Sequence, residues 1–268
     1  MKQKNLLVTF IAALGFEILN TLKLKPLFFW LFFSLFIVLI SASIFWAMGL
    51  PIKKWLSKEF FKHSVYLILP LAFFISGNIF LILLESYKQI IIIAYVIIFF
   101  LIMMGIRGII LNLEYKIKPR LTYNILISTT IITAFLGYAT IWAFYFYFYF
   151  YFNFSVYLML SLIFIFTAIL FYQLIHLTGI LGMRTFIFAL IASLLITEIA
   201  WLISFWPVEY IFSALLILVC FYVMWGVMHH KFEETLTKRL LFEYLIIGSV
   251  KFFILLKYSS ISLGIRGY

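Results

Sequence analysis

The chain has 268 residues, of which 67% are hydrophobic and only 11% charged, with a mean hydropathy of +1.21. A soluble domain carries roughly a quarter charged residues, so no water-soluble packing hides this much apolar surface and the surrounding solvent is lipid. The chain has no aspartate and a single cysteine, Cys220, which excludes aspartate-built carboxylate pairs, cysteine-ligated metals and intrachain disulfides.

The net charge of +11 points to anionic lipid headgroups on the cytoplasmic side and to basic loops held there, rather than to nucleic acid. A bilayer core of about 30 Å needs about 20 apolar residues per helix. Nine runs meet or approach that length, at approximately 5–21, 27–50, 64–84, 90–111, 124–146, 154–176, 185–206, 209–228 and 240–256. The first and last are marginal. The expectation is therefore an all-α fold, a polytopic integral membrane helix bundle with eight or nine transmembrane helices in a single membrane domain, 1–268. Strands are not expected, because barrel strands are short and alternate apolar with polar residues.

The first run has a second reading. Lys2 and Lys4, the apolar stretch Leu6 to Ala13, and Ala13-Leu14-Gly15 follow the layout of a secretory signal with a cleavage site. A retained helix is expected instead, since removal would flip nothing and would leave Glu17 near a new terminus.

The connections alternate in charge. Lys53, Lys54, Lys58 and Lys62 occupy one, Arg107, Lys116, Lys118 and Arg120 a second, Arg184 a third, and Lys231, Lys238 and Arg239 a fourth. The intervening connections at 85–89, 147–153 and 207–208 hold Lys88 and no other basic residue. The basic set belongs on the cytoplasmic side, which puts the N-terminus there in the cell membrane. Lys23 and Lys25 are exceptions. Phe144 to Phe152 alternates Phe and Tyr in the manner of a strand. At the charge-poor end of two spans it reads instead as an aromatic belt at the headgroup layer.

Polar groups inside the spans are the candidates for function, since a mid-bilayer charge costs about 2.5–3.5 kcal/mol. Glu17, Glu198 and Lys251 fall roughly 16–20 Å from the cytoplasmic face at 1.5 Å per residue, and Ser76-Gly77-Asn78 roughly 21 Å. Together they suggest a polar layer just outside the midplane, binding a small solute or ion. Pro70, followed by Ser76, Gly77 and Asn78, is also the pattern of a kinked or broken helix. Glu198 and Lys251 alternatively form a structural ion pair. The last run, holding Gly248, Ser249 and Lys251, either spans or lies at the interface.

The densest cluster of ionisable groups is Trp225 to Glu243. His229 and Glu233 are four apart, as are His230 and Glu234, so on a helix each pair shares a face. Such a set of imidazoles and carboxylates binds Zn²⁺ or Mn²⁺. The bland alternative is a solvated turn, with Thr237 capping the last helix and Lys238 and Arg239 anchoring to headgroups. Glu233-Glu234-x-x-x-Lys238 resembles the EExxxR motif of the CAAX-protease-like membrane peptidases. That resemblance fails, because the motif's arginine is a lysine here and no histidine follows His230.

Three functional classes follow. A transporter of small solutes or ions uses the polar layer, a membrane-embedded enzyme uses the His/Glu cluster, and a non-catalytic subunit packs against membrane-protein partners. No cofactor is required by the sequence.

Overall fold

Surrounded by hydrocarbon, a backbone must satisfy its own hydrogen bonds, and a long apolar run does so only as a helix. The computed structural model describes residues 2–22, 26–47, 58–83, 93, 95–105, 120–152, 155–177, 183–206 and 208–265. Among the described residues all regular structure is helical, and the chain forms an integral membrane helix bundle. In order the helices are α1 Lys2–Leu22, α2 Pro26–Ala47, α3 Lys58–Leu83, α4 Tyr95–Gly105, α5 Arg120–Phe152, α6 Val156–Leu177, α7 Met183–Ser204, α8 Tyr210–Phe232 and α9 Lys238–Ile265. Among the described residues five stretches are long and apolar enough to cross a membrane: Phe28–Trp46, Thr122–Tyr147, Val156–Leu177, Thr185–Ser204 and Tyr210–Phe232. The connections 51–57, 85–89 and 107–119, on which much of the charge alternation rests, lie outside the described residues.

The chain divides into two compact units, 1–136 and 137–268, with α5 running from one into the other. In the first unit, α1 buries Val8, Ala12, Phe16 and Leu19, four residues that recur every three or four positions along one face. Leu7, Phe10 and Leu14 on the same helix are exposed. Apart from Glu17, the exposed face carries large apolar side chains like the buried one, because lipid tails and a packed interior make the same demand. Phe16 stacks on Tyr95 at 4.4 Å between ring centroids, and Phe73 on the same Tyr95 at 5.0 Å. These rings tie α1, α3 and α4 together.

In the second unit, α6 packs along α7, α7 against α8, and α8 against α9. Tyr138 Oη and Thr167 Oγ1 share a buried hydrogen bond of 2.9 Å between α5 and α6. Phe171 of α6 meets Phe221 of α8 at 4.6 Å. Most other hydroxyls are satisfied within their own helix. Thr130 Oγ1 donates to Leu126 O at 2.7 Å, and Thr197 Oγ1 donates to Ser193 O at 2.8 Å.

Two of the sequence expectations take a definite form here. The alternating Phe/Tyr stretch is no strand, since α5 continues helical through it to Phe152. The last run extends well beyond 240–256, because α9 is one continuous helix of 28 residues. It returns antiparallel along α8. A Cβ at Gly226 would stand 2.3 Å from Tyr244 Cε1, and one at Gly248 would stand 2.6 Å from Val223 Cγ2. Glycine at both positions lets the two helices approach closely.

Candidate functional site

The sequence folds the end of α8 into a specific turn. Glu233 closes the helix, Glu234 adopts a left-handed conformation at φ 57°, and the chain re-enters helix at Lys238. Thr235 N donates to His230 O at 3.0 Å, and Glu234 N donates to Lys231 O at 3.3 Å. That pair of bonds is a Schellman motif, which satisfies carbonyls left open at a helix C-terminus. Glycine usually occupies the left-handed position, and this chain places glutamate there. Thr237 then caps α9, its Oγ1 accepting from Leu240 N at 3.3 Å and its carbonyl accepting from Leu241 N at 3.0 Å.

This turn gathers the titratable side chains. His229 Nε2 lies 3.5 Å from Glu233 Oε1, with the imidazole 18% exposed and the carboxylate 52%. One donor atom from each of His229, His230 and Glu233 lies within 4.8 Å of the others. The rings of His229 and His230 meet edge to face at 5.6 Å, flanked by Trp225 at 5.5 Å from His229 and Tyr244 at 5.8 Å from His230. His230 Nδ1 and Thr235 Oγ1 are 2.9 Å apart. If Nδ1 carries the proton in that bond, Nε2 keeps its lone pair for a metal, the usual way an outer partner sets the tautomer of a ligating histidine.

Chemically, two imidazole nitrogens and one carboxylate oxygen match the donor set of zinc. Ligand bonds of about 2.0–2.2 Å require these donors to draw closer together by rotamer adjustment. Three protein ligands would leave a fourth position for water or a substrate oxygen.

The structure therefore brings three of the four expected ligands together. Glu234 stands outside the cluster, because α8 ends before it and the left-handed residue turns it away from the His230 face. Thr235 and Tyr244 belong to the surroundings of the site. Thr235 was legible only as a hydroxyl five residues after His230, and Tyr244 arrives through the α8–α9 packing. His176, the other histidine near an end of a span, is not part of this cluster.

The residues expected to form a polar layer lie on α1, α3, α7 and α9. Glu17, Ser76, Gly77 and Asn78 belong to the first unit, Glu198 and Lys251 to the second. Glu17, Glu198 and Lys251 are all exposed. The nearby carboxylates Glu233 and Glu243 pair with His229 and with Arg239, the latter at 3.1 Å. Lys251 Nζ instead lies 5.5 Å from the centroid of the Tyr222 ring. In α3, Ser76 and Asn78 are buried, donating from their side chains to Ala72 O at 2.7 Å and Phe74 O at 2.6 Å. Gly77 faces Tyr95, whose Cε2 would be 3.0 Å from an added Cβ. The helix is continuous through Pro70 and this notch.

No curated protein and no solved structure matches this chain. Residues 10–258 match the family described as "Protein of unknown function (DUF5656)", and the chain belongs to that family.

Proposed function

We propose that this multi-pass membrane protein binds a divalent transition metal, zinc being favoured, at the end of α8 through His229, His230 and Glu233. The observation that carries the reading is the convergence of three donor atoms of suitable type within 4.8 Å. The open fourth position suits a membrane-embedded enzyme that acts on substrates at the membrane surface. In this reading the turn faces the cytoplasm with the N-terminus, Lys238 and Arg239 meet anionic headgroups, and the Phe/Tyr end of α5 forms an aromatic belt at the opposite interface.

The test is metal titration of the purified protein by calorimetry. One zinc ion per chain is expected, with affinity reduced at least tenfold in His229→Ala and in Glu233→Gln and reduced further on acidification, because protons compete for the ligands. Zinc binding that is unchanged in both variants refutes the reading.

A carrier remains the second reading, supported by the buried Ser76–Asn78 notch beside Tyr95. Its test is flux in proteoliposomes. Asn78→Ala, Glu198→Gln and Lys251→Met should each lower transport, and unchanged flux in all three removes it.

A further inference from the structure

The opposite flank of the α8–α9 hairpin holds a groove of about 600 Å³, bordered by α7, α8 and α9 and lined almost wholly by apolar side chains. Leu202 and Trp206 contribute from α7, Cys220 and Val227 from α8, and Leu241 and Leu245 from α9. Its size lies within the roughly 300–1,000 Å³ of sites that enclose a small molecule. In lipid an apolar wall alone has no preference for one occupant, since bulk acyl chains satisfy it equally. Selectivity has to come from charge.

Two lysines stand at the end of the groove nearest the α8–α9 turn. On α8 the lining stripe Cys220, Met224, Val227 continues one turn further to Lys231, spaced four and seven residues beyond Val227 and Met224. On α9 the stripe Leu241, Leu245 is preceded by Lys238, three and seven residues before them and so on the same face. Both lysines are exposed, and among the described residues neither has a carboxylate partner, since Glu233 faces His229 and Glu243 takes Arg239. Lys231 Nζ rests 5.4 Å from the centroid of the Phe188 ring of α7, on the groove side of α8.

We infer that this groove is a binding site for an anionic glycerophospholipid, with one acyl chain between α7, α8 and α9 and the phosphate between Lys231 and Lys238. The inference is independent of the metal site, which lies on the other flank of α8.

The test is native mass spectrometry of the full chain in mild detergent, titrated with phosphatidylglycerol or with phosphatidylcholine of the same acyl chains. One phosphatidylglycerol is expected to be retained in preference to phosphatidylcholine. The double variant Lys231→Gln/Lys238→Gln should bind it roughly thirtyfold more weakly, about fivefold for each lysine. Leu245→Trp, which fills the groove, should lose retention, with Ser249→Leu as an independent filling variant should the first fail to fold. Equal retention of the two lipids, insensitivity to the lysine or filling variants, or preferential retention of a polyprenyl phosphate over phosphatidylglycerol would each overturn the assignment.

Discussion

Glu234 offers a direct test of how the turn is built. With φ at 57° it sits where a side chain is disfavoured, at the position a Schellman motif normally gives to glycine. Two substitutions separate backbone strain from charge. Glu234→Ala removes the carboxylate next to a helix C-terminus but keeps the Cβ, whereas Glu234→Gly removes both. In a helix interior glycine is less stable than alanine by about 1 kcal/mol. At a left-handed position the sign reverses, and glycine should exceed alanine by about 1 kcal/mol. For a chain of this size that corresponds to a Tm roughly 2–4 °C higher for Glu234→Gly than for Glu234→Ala. Thermal unfolding in detergent, followed by circular dichroism at matched protein and lipid content, reads the difference. Alanine equal to or better than glycine would show that the turn is not left-handed at this residue. Because Glu234 stands outside the cluster, both variants should also bind zinc as the parent does. A drop in zinc affinity would return Glu234 to the ligand set.

Four further outcomes concern the hairpin and its neighbour α7. Gly226→Ala should lower stability by about 1–3 kcal/mol through overpacking against Tyr244, and Tyr244→Ala in the same chain should recover part of the loss in the same melting assay. Thr237→Ala should cost about 1 kcal/mol as the α9 cap is lost, with Thr237→Asn close to the parent. A double-mutant cycle of Glu198→Gln with Lys251→Met should be additive to within about 0.5 kcal/mol. Lys251→Met with Tyr222→Leu should couple by roughly 0.5–1 kcal/mol, the scale of an exposed cation–π contact.

The helices were legible because their cause is local. Apolar residues over twenty positions leave a backbone no other way to satisfy itself in lipid, so the runs around Phe28–Trp46 and Val156–Leu177 announce themselves. The same reasoning dismisses the strand-like alternation of Phe144 to Phe152. The length of α9 was not legible, because Gly248, Ser249, Lys251 and Lys257 dilute its hydropathy. Contact with α8 through Gly226 and Gly248 holds its first half, and no local window contains that contact.

At the site, spacing was a guide only where its premise held. His229 and Glu233 are four apart across the last turn of α8, and they meet. His230 and Glu234 have the same spacing, but the helix ends between them and the pair does not form. The Glu198–Lys251 pairing inferred from depth fails for a related reason. Equal depth fixes height along the membrane normal and says nothing about which way a side chain faces, and Lys251 faces Tyr222.

X-ray absorption spectroscopy at the zinc edge of the zinc-loaded protein reads the ligands at the end of α8. Two imidazole nitrogens and oxygen donors at about 2.0–2.2 Å are expected, with one imidazole signature lost in His230→Ala. A sulfur scatterer at about 2.3 Å, or a shell that keeps both imidazoles in His229→Ala and in His230→Ala, would contradict that ligand set.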